Sequence, residues 1–249
     1  MIVIVGDTHD DVLYFETILA NKKQEVILDL FKIQTGTLFS QEALVLHDMS
    51  TNLLASSVLT YLIQTRIVDL VICVGKCISI SEHLKAGDIA LSTNVIDANV
   101  DLSMFKDVGM AEIPGFSREF PVQDNLNRYL ADNLGKRPRI ELHGATYLSS
   151  DNMSKDMIEY LKKHKTLFNE NEPSFVLDHN SAGIALASVL GGVPFICAKV
   201  IEYGIDHTNN LKTYTNVLTR YIDLGKGVIQ TINDIGRSDV QERNAYEQY

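Results

Sequence analysis

The segment FVLDHNSAGIALASVLGGVPFICAKVIEYGID, residues 175–206, is the strongest indicator of the fold class of this chain. Its pattern predicts a buried strand, a helix rich in small residues and a second buried strand. Two polar clusters, Asp178-His179-Asn180 and Glu202-Tyr203, stand where these elements end. Ligands of open α/β sheets bind at such ends. The segment therefore predicts both an α/β unit and the position of a site.

The same alternation of strands and helices extends along the whole chain. Apolar runs predict strands over 1–5, 26–34, 43–47, 68–74, 87–91, 140–143, 175–177 and 194–201. Helical spacing of apolar residues predicts helices over 11–19, 52–64, 123–134, 152–164, 182–190 and 209–235, with a loop over 97–121. No linker or repeat interrupts the alternation. We therefore expect one three-layer α/β/α domain over residues 1–235, with a mixed, mostly parallel central sheet, and a polar, frayed tail over 236–249.

Composition excludes several classes of protein. The 249 residues carry a formal net charge of −10, which argues against nucleic acid as a partner. No apolar run reaches the ~18 residues that a membrane span needs, and the N-terminus lacks the basic start of a signal peptide. Cys73, Cys77 and Cys197 lie in or beside apolar runs, which predicts buried thiols in a reducing compartment. We expect a cytoplasmic protein with no cofactor and no metal.

Residues 6–11, GDTHDD, form a burst of polar groups after the first strand. Taken alone they resemble the opening motif of calcineurin-like metallophosphoesterases, in which Asp7 and His9 would bind metal. That family needs further ligands, but Lys76 occupies the place of the second aspartate, and His143-Gly144-Ala145-Thr146 is not GHxH. Helix capping or ligand binding is the favoured interpretation, and a metallophosphoesterase is a distant alternative.

Each further candidate has a structural alternative. Gly75 lets a ligand approach the backbone and Lys76 offers a charge to an anion, but the same residues suit a plain glycine turn. Asp178 or Asn180 can serve as a helix N-cap, which explains one of the three polar residues at 178–180. An exposed turn is the alternative at Glu202-Tyr203.

Several landmarks follow one another in a fixed order. They are Val3–Gly6 with Asp10-Asp11, then IQTGTL at 33–38, VDLVICVGK at 68–76, LKAGDIALS at 84–92, DLSMF at 101–105, IPG at 113–115 and GIALASVLGGVPFICAKVIEYGID at 183–206. This order resembles the 5′-methylthioadenosine/S-adenosylhomocysteine nucleosidases, within the wider purine nucleoside phosphorylase family. The resemblance covers about residues 1 to 235. It implies a three-layer α/β fold, a homodimer and cleavage of a purine–ribose bond.

The resemblance also implies roles for individual residues. Asp11 falls on the water-activating carboxylate, and Gly75 and Lys76 on the floor of the water or phosphate site. Residues 144–147 fall where the family's backbone contacts the base, so the ring of Tyr147 is expected to stack on a base, and Phe105 belongs to the same substrate site. Asp178, His179 and Asn180 replace the Glu-Met-Glu motif that holds the ribose. Tyr203 replaces the base-protonating aspartate, with Glu202 beside it and Asp206 three residues further on.

The tyrosine matters because its ordinary pKa, near 10, makes it a poor proton donor to a purine. The leading hypothesis is a divergent purine nucleosidase in which Asp11 acts on water and Glu202 replaces the acid. There are two alternatives. One is a phosphorylase, indicated by Lys76, and the other is a domain that binds nucleosides without turning them over.

Overall fold

The computed structural model describes residues 1–102, 104, 110–112, 114–137, 140–168, 174–203 and 211–246. The strands are β1 (Ile2–Val5), β2 (Ala20–Ile27), β3 (Phe31–Leu38), β4 (Gln41–Leu46), β5 (Leu70–Ser79), β6 (Ile89–Asp97), β7 (Glu119–Pro121), β8 (Leu142–Ser149), β9 (Phe175–Asp178) and β10 (Phe195–Tyr203). The helices are α1 (His9–Ile18), α2 (Asn52–Thr65), α3 (Asp124–Gly135), α4 (Lys155–His164), α5 (Ser181–Gly191) and α6 (Leu211–Tyr246), with a short 3₁₀ turn over Lys165–Leu167.

The strands form one mixed sheet that curls on itself. β1 lies parallel between β4 and β5, and β5 continues past it to pair with both β10 and β9. β10, β6, β8 and β9 complete a closed ring with β5, because β10 pairs with β6, β6 with β8 and β8 with β9. The mixed α/β architecture is confirmed, and among the described strands the antiparallel pairings are as numerous as the parallel ones.

Two helical layers cover the sheet. α1 and α3 pack on α6, while α2 packs on α5. The close α2–α5 contact depends on the small residues of α5, since a Cβ at Gly183 would lie 2.0 Å from the Asn52 carbonyl oxygen. The side chains of β1 and of residues 70–74 are buried, which is why these segments read as continuous apolar runs.

The structure differs from the predicted elements in several places, and β5, β6 and β8 all run further than predicted, to Ser79, Asp97 and Ser149. The strand predicted over 26–34 is a hairpin of β2 and β3, because Leu28 and Asp29 adopt left-handed φ angles of 52° and 54° and turn the chain. β2 is an exposed edge strand, and its polar and charged residues lack the apolar pattern from which strands are predicted. The backbone of α6 continues to Tyr246, so the domain boundary predicted at residue 235 falls inside this helix and stays a prediction.

Within the described ranges, no helix combines the length and the apolar character that crossing a membrane requires.

Candidate active site

The polar clusters singled out in the sequence meet at one place in the fold. Asp7 follows β1, Gly75 and Lys76 lie within β5, and Asp178-His179-Asn180 join β9 to α5. β10 runs parallel to β5 with Lys199 opposite Gly75, and Glu202 lies near its end. The neighbouring strands therefore carry these groups to a common edge, as the sequence predicts for ligand sites of α/β sheets.

The floor of the site is a buried network around Lys199. The Lys199 side chain is completely buried, and its Nζ lies 2.7 Å from Asp178 Oδ2 and 3.9 Å from Asp7 Oδ2. Lys199 Nζ also donates to Asn180 Oδ1 at 2.6 Å. Burial alone would lower the pKa of Lys199, but the carboxylates of Asp178 and Asp7 outweigh it and hold that pKa well above its ordinary value. Lys199 is therefore a fixed buried cation.

Asn180 is held from three sides. Besides accepting from Lys199, its amide nitrogen donates to Met49 O at 2.9 Å and to Asp7 Oδ1. Asn180 and Asp7 are both buried. Asp178 fulfils the capping role proposed for this turn, since its Oδ1 accepts from the Ser181 hydroxyl at 2.8 Å and more weakly from the Ser181 amide at 3.4 Å.

His179 faces acceptors on both sides of its ring. Nδ1 lies 2.9 Å from Ser50 O, and Nε2 lies 2.8 Å from Asp7 Oδ2. A carbonyl and a carboxylate oxygen can only accept, so both ring nitrogens must donate and His179 is an imidazolium. The hydrogen bond to Asp7 raises the pKa of His179 against the opposing effect of burial. Asp7 thus stands between two cations, which lower its pKa although burial would raise it.

Asp11 lies against the backbone of β5. The amide and hydroxyl of Thr8 donate to Asp11 Oδ2 at 2.8 and 2.9 Å, which fixes the carboxylate at the start of α1. Gly75 has a φ of 140°, and a Cβ there would lie 3.3 Å from Asp11 Cγ and Oδ2. Burial raises the pKa of Asp11, and the neighbouring Asp7 charge raises it further. Gly75 is thus required both by its backbone angle and by the carboxylate packed against it.

Glu202 and Lys76 form the more exposed side of the site. Lys76 Nζ lies 3.9 Å from Glu202 Oε1, and both side chains are partly buried. Partial burial raises the pKa of Glu202, with a further contribution from Asp11, while Lys76 opposes the shift. The Tyr221 hydroxyl from α6 belongs to the same region, because Asp11 and Glu202 both add to the effect of burial in raising its pKa.

One predicted site residue, Tyr147, does not join this cluster. Tyr147 is completely buried in β8 and its hydroxyl donates to Ala90 O at 2.8 Å, so the prediction that its ring stacks on a base is wrong. The strand predicted from the sequence ended at residue 143, which left Tyr147 in a loop. β8 instead continues to Ser149, and its second half, including Tyr147, is buried. Phe105 and Asp206 lie outside the described residues. Tyr203 is half-buried at the end of β10, beyond a bulge that separates it from Ile201.

Two residues central to the site were missed or misassigned from the sequence. Lys199 is a lone charge within the apolar run PFICAKVI, and such a position signals a buried ion pair. From the sequence, Asp7 could bind metal beside His9, cap the helix or bind a ligand, and its protein partners were not predicted. Its carboxylate turns inward to His179 and Asn180, whereas His9 Nε2 pairs with Glu16 Oε2 at 3.1 Å. The two residues therefore do not share a metal position.

The chain matches the family model of the phosphorylase superfamily over residues 1–232. It is 22% identical over 202 residues to a 5′-methylthioadenosine/S-adenosylhomocysteine nucleosidase of Bacillus pumilus, covering 81% of this chain and 84% of the relative. The same nucleosidase from Neisseria meningitidis, solved with methylthio-immucillin-A, superposes with a TM-score of 0.80 at 16% identity, over 94% of this chain and 98% of the other. A futalosine hydrolase of Helicobacter pylori superposes with a TM-score of 0.78 at 17% identity, over 94% of this chain and 98% of the other. The chain belongs to the phosphorylase superfamily.

Proposed function

We propose that the protein hydrolyses the N-glycosidic bond of a purine nucleoside such as 5′-methylthioadenosine or S-adenosylhomocysteine. The match over residues 1–232 and the nucleosidases among its relatives support the reaction class. The observation that carries the proposal is the meeting of two carboxyl groups in one site. Asp11 is fixed by Thr8 against Gly75, Glu202 is the more exposed of the two, and burial raises the pKa of both.

The proposed chemistry uses one carboxyl group on each side of the scissile bond. The bond between ribose C1′ and the purine nitrogen breaks, and Glu202 gives its proton to the departing base. Water bonds to C1′ of the oxocarbenium-like sugar, and Asp11 accepts the proton that the water releases. Exchange with solvent then restores both groups. A raised pKa keeps Glu202 protonated closer to neutral pH, as a general acid requires.

The ribose hydroxyls are assigned to His179, whose side chain is 28% exposed. Asn180 is buried and lacks the charge that the resembled family places at its position. Asp7 is buried beside it and bonds to both Asn180 and His179, so these two residues hold His179 in position. Lys199 does not reach the surface of the site, and its part is to hold Asn180 and the two aspartates in position.

Purine release from 5′-methylthioadenosine, S-adenosylhomocysteine, adenosine and inosine tests the proposal. We expect turnover of at least one, and a loss of about 10²- to 10⁴-fold in Asp11→Asn and Glu202→Gln. Asp10→Asn and Glu141→Gln remove neighbouring or exposed carboxylates and serve as matched controls with wild-type rates. Folded protein that releases no base from any of the four nucleosides contradicts the proposal. Thermal stabilisation by a nucleoside without turnover would instead indicate a binding domain.

A phosphorylase is the second candidate, favoured by Lys76 beside Gly75. The lysine is partly exposed, and its 3.9 Å separation from Glu202 leaves it able to meet an anion. Rates measured with and without inorganic phosphate decide between the two reactions. A phosphate-dependent rate that is lost in Lys76→Met supports the phosphorylase, and a rate independent of phosphate removes it.

We further propose a homodimer, which the family resemblance implies. A cavity of about 430 Å³ is lined by the exposed side chains of Leu53, Leu190 and Phe116, and a second copy would cover them. Light scattering after size-exclusion chromatography tests this. Leu53→Glu should yield monomers, while the matched change at Ile67, which is also exposed, should not. A wild-type monomer at micromolar concentration contradicts the proposal.

A cytoplasmic location is proposed from the thiols. Cys73, Cys77 and Cys197 are buried and unpaired, as the sequence predicts. Free thiols suit a reducing compartment. Fractionation of the producing cells tests the location, and recovery of the protein outside the cytoplasmic fraction contradicts it.

A further inference from the structure

His9 is the one member of the GDTHDD motif whose side chain points to a second cluster. Its ring lies 5.1 Å from the ring of His47, at an interplanar angle of 61°. His9, His47 and Glu16 each offer one ligand atom, and these three atoms lie within 4.8 Å of one another. His9 and Glu16 are seven residues apart on α1, so they share one face of the helix, while His47 follows β4.

We propose that His9, Glu16 and His47 form a binding site for a first-row transition metal ion of the zinc class. Two imidazole nitrogens and a carboxylate oxygen match the ligand preference of Zn²⁺, whereas Mg²⁺ and Ca²⁺ prefer oxygen ligands. Two ligands on one tetrahedral zinc ion stand about 3.3 Å apart when their bonds are about 2.0–2.1 Å. His9 Nε2 and Glu16 Oε2 are 3.1 Å apart, close to that edge length.

His9 is placed to approach the other two ligands because its side chain faces solvent. The His9 side chain is 52% exposed, so its ring can rotate toward His47 without displacing core residues. Glu16 is nearly buried and supplies a fixed oxygen, while the half-buried His47 supplies a nitrogen of restricted orientation. Three protein ligands leave a fourth position open to water.

Asp48 adds negative charge beside His47. The buried His47 Nδ1 makes no hydrogen bond within the described part of the chain, and an oxygen of the Asp48 carboxylate lies 2.9 Å from it. Asp48 has a φ of 67°, a backbone angle that asparagine also tolerates. Asp48→Asn therefore removes this charge without straining the turn.

Metal binding would tie the start of α1 to the end of β4. These are the segments that carry Asp11 and the Ser50 carbonyl bonded to His179. The site itself lies outside the network of Lys199, so its existence does not depend on the proposed reaction. Because the ion binds only the folded arrangement, it should stabilise the protein.

Titration calorimetry with zinc chloride on protein freed of any histidine tag tests the site near pH 7.5. We expect saturable binding of a single ion per chain, and a rise in Tm of roughly 5–10 °C at a hundredfold excess over Kd. His9→Ala and His47→Ala should each weaken binding at least tenfold, and Asp48→Asn, which removes only a nearby exposed charge, should weaken it less than either. His9→Ala alters an exposed side chain, so it should remain folded without zinc.

The chain offers a matched control in a second pair of histidines. His83 and His143 have ring centroids 6.0 Å apart, and Asp88 lies 3.2 Å from His143 Nε2. His143→Ala should leave zinc affinity and the zinc-dependent rise in Tm unchanged. The proposal is overturned if wild-type protein shows no saturable zinc binding, or if binding survives in His9→Ala and disappears in His143→Ala.

Discussion

The buried cation Lys199 yields the most direct test of the site. Lys199→Met keeps the length of the side chain and removes its charge. The 2.7 Å ion pair with Asp178 and the 2.6 Å hydrogen bond to Asn180 are then lost. Two carboxylates, of Asp178 and Asp7, stay buried with no charge from Lys199 to compensate them. Such a change is costly because water cannot replace the lost partner.

The expected loss follows from this burial. Removing one member of a buried ion pair costs about 3–5 kcal/mol of unfolding free energy. For a chain of this size, each kcal/mol lowers Tm by roughly 2–4 °C, so the variant should melt about 6–20 °C below the wild type. His179, which still faces Asp7, keeps the loss within this range rather than above it.

Thermal and urea unfolding followed by circular dichroism measures the loss. Lys155→Met, at an exposed lysine, is the matched control and should change stability by less than about 0.5 kcal/mol. The double variant Lys199→Met with Asp178→Asn should be more stable than Lys199→Met alone, since it removes a charge that has lost its partner. A Lys199→Met protein within about 1 kcal/mol of the wild type would refute the buried network as described.

Three further outcomes are expected. Gly183→Ala should lower the free energy of unfolding in urea by about 3 kcal/mol, because its Cβ would lie 2.0 Å from the Asn52 carbonyl oxygen. Gly135→Ala is the control: no atom lies within 4 Å of the added Cβ, so the free energy of unfolding should not fall. The nucleosidase rate should fall as pH rises through the raised pKa of Glu202, and Glu202→Gln should lose this dependence; an unchanged profile contradicts the acid role. The pKa of His179 is higher in the folded state than in the unfolded chain. Its contribution to stability is therefore complete below about pH 6.5 and is lost as pH rises through the folded pKa. His179→Gln should remove that pH dependence from the urea midpoints, and midpoints that vary with pH equally in variant and wild type would contradict the ion pair.

Much of the fold could be predicted because burial leaves a direct trace in sequence. β1 and the first half of β5 are buried runs of apolar residues, and α5 is a run of small ones, so each could be recognised alone. The exposed strand β2 could not, because its residues are polar and charged and its pairing with β3 supplies the order. The continuation of β5 past Gly75 also depends on its partners β9 and β10.

The candidate site was predictable only in part. The ends of strands and the polar clusters at 178–180 and 202–203 follow from local patterns. The role of Tyr147 does not, since a single position along β8 decides whether a ring faces a pocket or the core. The partners of Asp7 were equally out of reach, because His179 is 172 residues away along the chain.

An α/β domain with polar groups at strand ends could be predicted from the sequence alone, because hydrophobic periodicity is a local property of a chain. Which of these groups meet follows from the folded arrangement and could not be read from local patterns. The fold placed Lys199 between Asp178 and Asp7 and turned His179 into a cation. It also brought Asp11 against Gly75. Charge and protonation depend on neighbours within a few ångströms, and those neighbours come from segments that are distant along the chain.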